Sequence, residues 1–213
     1  MRVNPFTDTF QFLTHGGWIM IVFWLLLITS LLLAIVNWMR STSQHTALHV
    51  WNWLSRLLIG CLWWQQSLWK MPPTYTDQPD GSGGLRYWVG QMADNAAFSL
   101  QGNFVRNVVE PHFNFFAPQV YFGEVFIAVS LMLGLFTRLG GLLGALMALN
   151  LWLGLYRSGS EWPWTYMFLV LLMFLFALEG AGRSLGFDAW LRREVPAVRD
   201  GKGLVGWFFN IAG

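Results

Sequence analysis

The chain has 213 residues, 55% of them hydrophobic and only 11% charged, with fourteen tryptophans, eighteen phenylalanines and a formal net charge of +2. Soluble domains carry about 25% charged residues, so this composition argues against a soluble domain and for a membrane protein, whose aromatic residues gather at the lipid–water boundary. The small, dispersed charge gives no footing for nucleic acid as a partner, and the single Cys61 excludes an internal disulfide and any CxxC redox or zinc site.

A membrane-spanning helix needs about 20 mostly apolar residues. Trp18 to Val36, "WIMIVFWLLLITSLLLAIV", carries no charge and predicts the first span. Its run exceeds a signal-peptide core and "IVNWMRS" is a poor cleavage site, so it reads as a retained helix. Residues 1–49 thus form a tail and an extra helix. His45 and His49 follow in a short loop, with no third ligand to complete a metal or haem site. Val50 to Trp69 predicts the second span, interrupted by Arg56, Gln65 and Gln66.

The long loop from Met71 to Ala117 opens with the turn residues of "QPDGSGG". Leu85, Trp88, Val89 and Met92, then Phe104, Val105 and Val108, recur at helical spacing and predict short interfacial helices. Pro118 to Phe136 is the third span and carries Glu124. Leu139 to Tyr156 is the fourth, with Gly140, Gly144 and Ala148 forming a small-residue packing face. Trp162 to Glu179 is the fifth, and residues 193–213 form an interfacial tail. The expected fold is all-α: a polytopic membrane bundle of five transmembrane helices, with residues 50–192 as its four-helix domain.

Arg and Lys set the orientation. Arg40, Arg138, Arg183, Arg192, Arg193, Arg199 and Lys202 would lie inside, against Arg2, Lys70, Arg86, Arg106 and Arg157 outside. The N-terminus is therefore expected outside and the C-terminus in the cytoplasm.

Helical rise converts this topology into depth. Lys70 stands at the outer mouth of the second span, Gln66 roughly 6 Å below it, and Glu124 and Asn150 both roughly 9 Å beneath the outer boundary. Trp69, Trp152, Tyr156, Trp162, Trp164 and Tyr166 would wall one outer pocket around these groups. Ionisable residues within a span face a partner or a function rather than lipid. Lys70 is therefore expected to face Glu124, either as a structural lock or as a pair whose carboxylate exchanges a proton with a bound redox ligand. At the inner side, Arg56, Arg138, Glu179 and Arg183 are expected in structural ion pairs. There is no GxGxxG, Walker or nucleophile-elbow motif.

The ordered set "FGEVF", "LGLFTRLG", "ALMALNLWL" and "LEGAGRSLGFDAWL", preceded by "RLLIGCLWWQQSLWKMPP", resembles the DoxX family of small bacterial and archaeal membrane proteins. The resemblance covers roughly residues 50 to 192, and the large aromatic loop looks more like the DoxD branch. That branch is the membrane subunit of thiosulfate:quinone oxidoreductase, which oxidises thiosulfate to tetrathionate and passes the electrons to quinone. The resemblance implies a subunit of the cytoplasmic membrane, with lipid and other redox subunits as partners and quinone as the ligand. On that reading Glu124 and Lys70 are the catalytic candidates, and Gln66, Asn150, Trp69, Trp152, Trp162 and Trp164 bind quinone. The competing expectation is a non-catalytic accessory subunit of a larger respiratory or photosynthetic complex, with the tryptophans as contact surface.

Overall fold

The computed structural model describes residues 4–14 and 17–213, so Arg2 lies outside the described residues. Every regular element among them is helical. In chain order these are α1 (Pro5–Thr14), α2 (Gly17–Arg40), α3 (Ala47–Leu68), α4 (Gly84–Asn95), α5 (Ser99–Phe104), α6 (Phe113–Leu133), α7 (Thr137–Gly154), α8 (Pro163–Glu179), α9 (Phe187–Glu194), α10 (Pro196–Arg199) and α11 (Gly203–Ala212). A π-helical turn, Val105–Val109, continues α5.

The expected spans are all found as helices, with boundaries set by local chemistry. Thr46 caps α3 by accepting a hydrogen bond from the His49 amide. Pro163 opens α8, where its missing N–H costs nothing. The α6 helix closes at Gly134, whose φ of 68° is the left-handed conformation that glycine adopts without penalty. It begins at Phe113, earlier than the expected Pro118, which is accommodated inside the helix near its start.

By length and composition, α2 and α6 are long and apolar enough to cross a membrane, while α8 is apolar but shorter. The charge of Arg56 interrupts α3, and Arg138 opens α7.

The bundle is built from α7 along α8 and α3 along α6, with α6 also against α7 and α2. Glycines of α7 make the first of these possible: Gly144, on the expected small-residue face, lies against Met173 of α8 and Ile127 of α6, Gly140 of that face lies against Ser130 of α6, and the neighbouring Gly141 meets the α8 backbone. A Cβ on Gly141 would stand 2.7 Å from the Ala177 amide nitrogen and 2.8 Å from the Met173 carbonyl of α8. Ala145, Ala148, Ile127, Leu131, Met132 and Met173 fill the centre. A second apolar cluster lies toward the end of the bundle covered by the long loop: Leu85, Val89 and Met92 of α4 pack with Tyr75, Val105, Phe113 and Leu155. The loop therefore folds as a cap.

The tail is docked as well as exposed. Phe208 and Phe209 of α11 lie on Phe136, at ring-centroid distances of 5.4 and 5.1 Å, while Leu204, Trp207 and Ile211 face outward.

Helix α2 is tied to the bundle by polar contacts that an apolar span does not need. The fully buried Asn37 donates to the Gly186 carbonyl at 2.8 Å and accepts from Arg193 at 2.9 Å. Ser30 accepts from the Trp53 indole at 3.3 Å. Leucine at position 37 would leave a buried carbonyl and a guanidinium without these partners, at about 1–3 kcal/mol each. Asn37→Leu is therefore expected to lower the thermal midpoint of the detergent-solubilised protein and to expose the chain between α2 and α3 to protease. An unchanged midpoint and cleavage pattern would show that α2 does not depend on this contact.

Candidate functional site

Three contacts fix the register of α3 on α6 as antiparallel. Arg56 reaches the Leu131 carbonyl, Gly60 lies against Ala128 and Met132, and Lys70 reaches Glu124. Gly60 permits the close approach, since a Cβ there would stand 2.9 Å from the Met132 amide nitrogen. Further along α3, Trp63, Trp64 and Ser67 are all buried, and the Trp64 ring lies 6.4 Å from that of Phe23 in α2.

Lys70 sits just beyond the end of α3, and its backbone N–H donates to the Ser67 carbonyl at 3.0 Å. That turn sends the side chain back along the bundle, where Nζ meets Glu124 Oε1 at 2.5 Å. Both side chains are nearly removed from the surface, at 9% and 3% exposure. The ammonium also lies over the Trp69 ring, 4.4 Å from its centroid, and so gains a cation–π contact. Trp69 is itself held by its indole N–H, which donates to Gln66 Oε1 at 3.1 Å, and by Thr76, whose hydroxyl donates to the Trp69 carbonyl. Gln66 therefore positions the ring that covers Lys70, and its amide stands on the exposed side of α3 with Gln65.

The second carboxylate oxygen, Glu124 Oε2, is buried without a hydrogen-bond partner among the described residues. The indole nitrogens of Trp63 and Trp64 are likewise buried and unpartnered. Buried polar atoms in this state are uncommon and point to a water, an ion or a ligand group that satisfies them. The ion pair thus leaves a free acceptor on Glu124, and α3 carries two unused indole donors within about two helical turns of Lys70.

The remaining expected pocket residues are not gathered here. Asn150 is exposed, and both its carbonyl and its side-chain oxygen accept from Gln101 of α5, at 3.2 and 3.1 Å. Trp152 keeps a buried, unpartnered indole nitrogen. Trp162 and Trp164 are largely exposed and line an apolar hollow with Thr165 and Phe168. Tyr166 donates its hydroxyl to Glu161 at 2.8 Å.

At the other end of the bundle the expected ion pairs give way to carbonyl contacts. Arg56 is fully buried and donates to the carbonyls of Leu131, Met132 and Ser184, at 2.5, 3.2 and 3.4 Å. Gly134 leaves space for its guanidinium, since a Cβ there would come within 2.6 Å of it. Arg138 donates to the carbonyls of Asn210 and Leu178, and Arg183 to that of Gly213. Glu179 accepts instead from Asn52, at 3.5 Å.

Sequence reasoning missed Asp188, the residue that completes this end. Its carboxylate accepts from the amides of Phe136 and Thr137, at 3.0 and 3.2 Å, and from the Thr137 hydroxyl at 3.1 Å. Its own N–H donates to the Gly134 carbonyl at 2.8 Å. Burial pushes the Asp188 carboxyl above its ordinary range, while these hydrogen bonds and the Arg56 charge pull it back. The "LGLFTRLG" turn and the "GRSLGFD" close are thus one interlocked structure around Arg56 and Asp188. A carboxylate opening a helix in "GFD" is the available signal, but the amides that it caps belong to α7.

A sequence model of the family described as "TQO small subunit DoxD" matches residues 78–206, more than half of the chain. Glu124, Asn150 and Asp188 fall within the matched segment, whereas Arg56 and Lys70 precede it. No curated protein matches the chain, and no solved structure does.

Removing one partner of a buried ion pair leaves an uncompensated charge and costs about 3–5 kcal/mol, whereas replacing both with apolar groups is often neutral. Lys70→Met alone should therefore lower the unfolding midpoint strongly. Lys70→Met combined with Glu124→Leu should recover most of the loss. A double variant as unstable as the sum of the two single variants would show that the ion pair is not what joins α3 to α6 there.

Proposed function

The chain belongs to the DoxD family, and on that premise we propose that it is a membrane subunit of a thiosulfate:quinone oxidoreductase, in which the buried Lys70–Glu124 pair meets the quinone. The setting is a five-span bundle in a bacterial or archaeal cytoplasmic membrane, with the N-terminus and the cap outside and the basic tail in the cytoplasm. The apolar α2 and α6, the shorter apolar α8 and the Arg- and Lys-rich C-terminal segment support this arrangement.

The single observation that carries the proposal is the unsatisfied Glu124 Oε2, buried beside Lys70, with two unpartnered indoles on α3 within about two helical turns of that lysine. These residues fit a quinone: its carbonyl oxygens need hydrogen-bond donors, its reduction needs a proton source, and its ring needs apolar walls. A bound quinone supplies acceptance of two electrons and two protons. Trp63 and Trp64 would orient a carbonyl oxygen through their indole N–H groups. Glu124 would hold a proton at Oε2 while Oε1 remains on the Lys70 ammonium. Lys70 would keep the carboxylate in place, and Trp69 with the cap would exclude bulk water from the pair. Trp162, Trp164 and Phe168, exposed on α8, offer an aromatic surface at which a quinone ring could rest before entering.

A second reading is favoured by the directness of the ion pair. Lys70 and Glu124 satisfy each other across two helices, as a structural lock in an accessory subunit would. Its signature would be a fixed stoichiometric set of haem- or pigment-binding partners in mild detergent, with no quinone reduction.

Thiosulfate added to the protein purified with its partners is expected to reduce a quinone analogue. Loss of a positioned proton-transfer group costs about 10²–10⁴-fold in rate. Glu124→Gln, which keeps the side chain's shape and an acceptor for Lys70 but leaves its charge uncompensated, should lower the unfolding midpoint and, in the protein that remains folded, lower turnover by at least about 10²-fold. Unchanged turnover in a folded Glu124→Gln protein would remove the proposed role.

A further inference from the structure

The cap holds a polar cleft separate from the Lys70–Glu124 pair. It lies where α4 ends and α5 begins, has a volume of about 690 Å³, and carries Arg106, Arg157, Asp94, Ser99 and Asn103 as its polar lining. Backbone bonds fix its walls. The Arg157 N–H donates to the Asn95 carbonyl at 2.9 Å, and the Ala97 N–H to the Leu153 carbonyl at 2.7 Å, so the elbow between α4 and α5 is stitched to the end of α7. Gly102 lets α5 press on α4, because a Cβ there would stand 2.7 Å from the Ala93 carbonyl.

Two guanidinium groups thus share the cavity with one carboxylate. Arg106 pairs with Asp94 at 2.6 Å. Arg157 is oriented by the Ala97 carbonyl, which accepts from its Nη2 at 3.1 Å, and among the described residues no carboxylate pairs with it. A guanidinium carries five N–H donors, so each retains donors after these bonds. The Lys70 ammonium is the opposite case: buried and already neutralised by Glu124, it is a poor receptor for an anion.

We propose that this cleft binds a small tetrahedral oxyanion, held by Arg157 and Arg106, with Ser99 and Asn103 supplying further hydrogen bonds. The planar fork of arginine matches the paired oxygens of such an anion, and a lysine would not reproduce it. Because the cleft is open to solvent, binding is screened by salt. Identifying the anion with thiosulfate rests on the function proposed above; the cleft as an oxyanion site does not.

The test is calorimetric titration of sodium thiosulfate, and of sodium sulfate, into the full chain in nanodiscs of zwitterionic lipid at low ionic strength. Saturable binding is expected, weakened about tenfold or more in Arg157→Gln and in Arg106→Gln, the loss of one charge-assisted hydrogen bond. Arg157→Lys, which keeps the charge without the fork, should bind between wild type and Arg157→Gln. Lys202→Gln, at the far end of the bundle, should bind as wild type. In phosphatidylglycerol nanodiscs, a weaker apparent thiosulfate affinity would identify lipid phosphodiester as a second source of the same chemistry, and an unchanged affinity would assign the cleft to the soluble anion. No saturable heat, or equal affinity in Arg157→Gln and Lys202→Gln, would overturn the proposal. Binding is read without turnover, so this result and the Glu124→Gln result can fail independently.

Discussion

A charge buried in an apolar bundle must find its counter-charge, and that requirement organises the capped end of this molecule. Glu124 lies in α6 where the central apolar cluster meets the cluster under the cap. Its partner cannot come from within α6, so α3 must run antiparallel, end beside it and turn Lys70 back. Gly60 gives the approach, Trp69 covers the ammonium, and Gln66 steadies Trp69. The long loop then folds over the result rather than extending into solvent. What the pair leaves open, the second carboxylate oxygen of Glu124, is what makes this a candidate site rather than only a clasp.

The opposite end solves a different problem with backbone groups. The turn after α6 and the short segment after α8 carry carbonyls and amides that would otherwise be buried without partners. Arg56 satisfies the carbonyls and Asp188 the amides, with glycines 134 and 186 leaving room for the guanidinium. Asn37 joins the extra helix α2 to this same segment through Gly186. The "LGLFTRLG" and "GRSLGFD" motifs are therefore, at this end, the parts of a turn that closes the bundle.

Hydrophobic runs, the small-residue face of α7 and the amphipathic pattern of the loop were legible from sequence because each is a periodicity along one helix. The facing of Lys70 and Glu124 was legible for a related reason: two scarce charges at matching depth had few alternatives. Depth, however, does not fix direction around a helix. Asn150 shares the depth expected for Glu124 but stands on the exposed side of α7, two positions from the buried Ala148, and is taken up by Gln101. Gln66 was expected to face the pocket, yet the buried face of α3 belongs to Trp63, Trp64 and Ser67. Asp188 and Asn37 were overlooked because their partners, backbone groups together with the Thr137 hydroxyl and the Arg193 guanidinium, lie in distant segments and leave no periodic trace along one helix.

The quinone assignment is tested most directly by locating the ligand. A photoreactive quinone analogue, cross-linked to the protein in membranes and mapped by peptide mass spectrometry, should label α3 around Trp63 and Trp64 and α6 around Glu124, with labelling suppressed by excess unmodified quinone. Labelling confined to Trp162–Phe168, or spread over the lipid-facing surface without competition, would contradict the placement of the site at the Lys70–Glu124 pair.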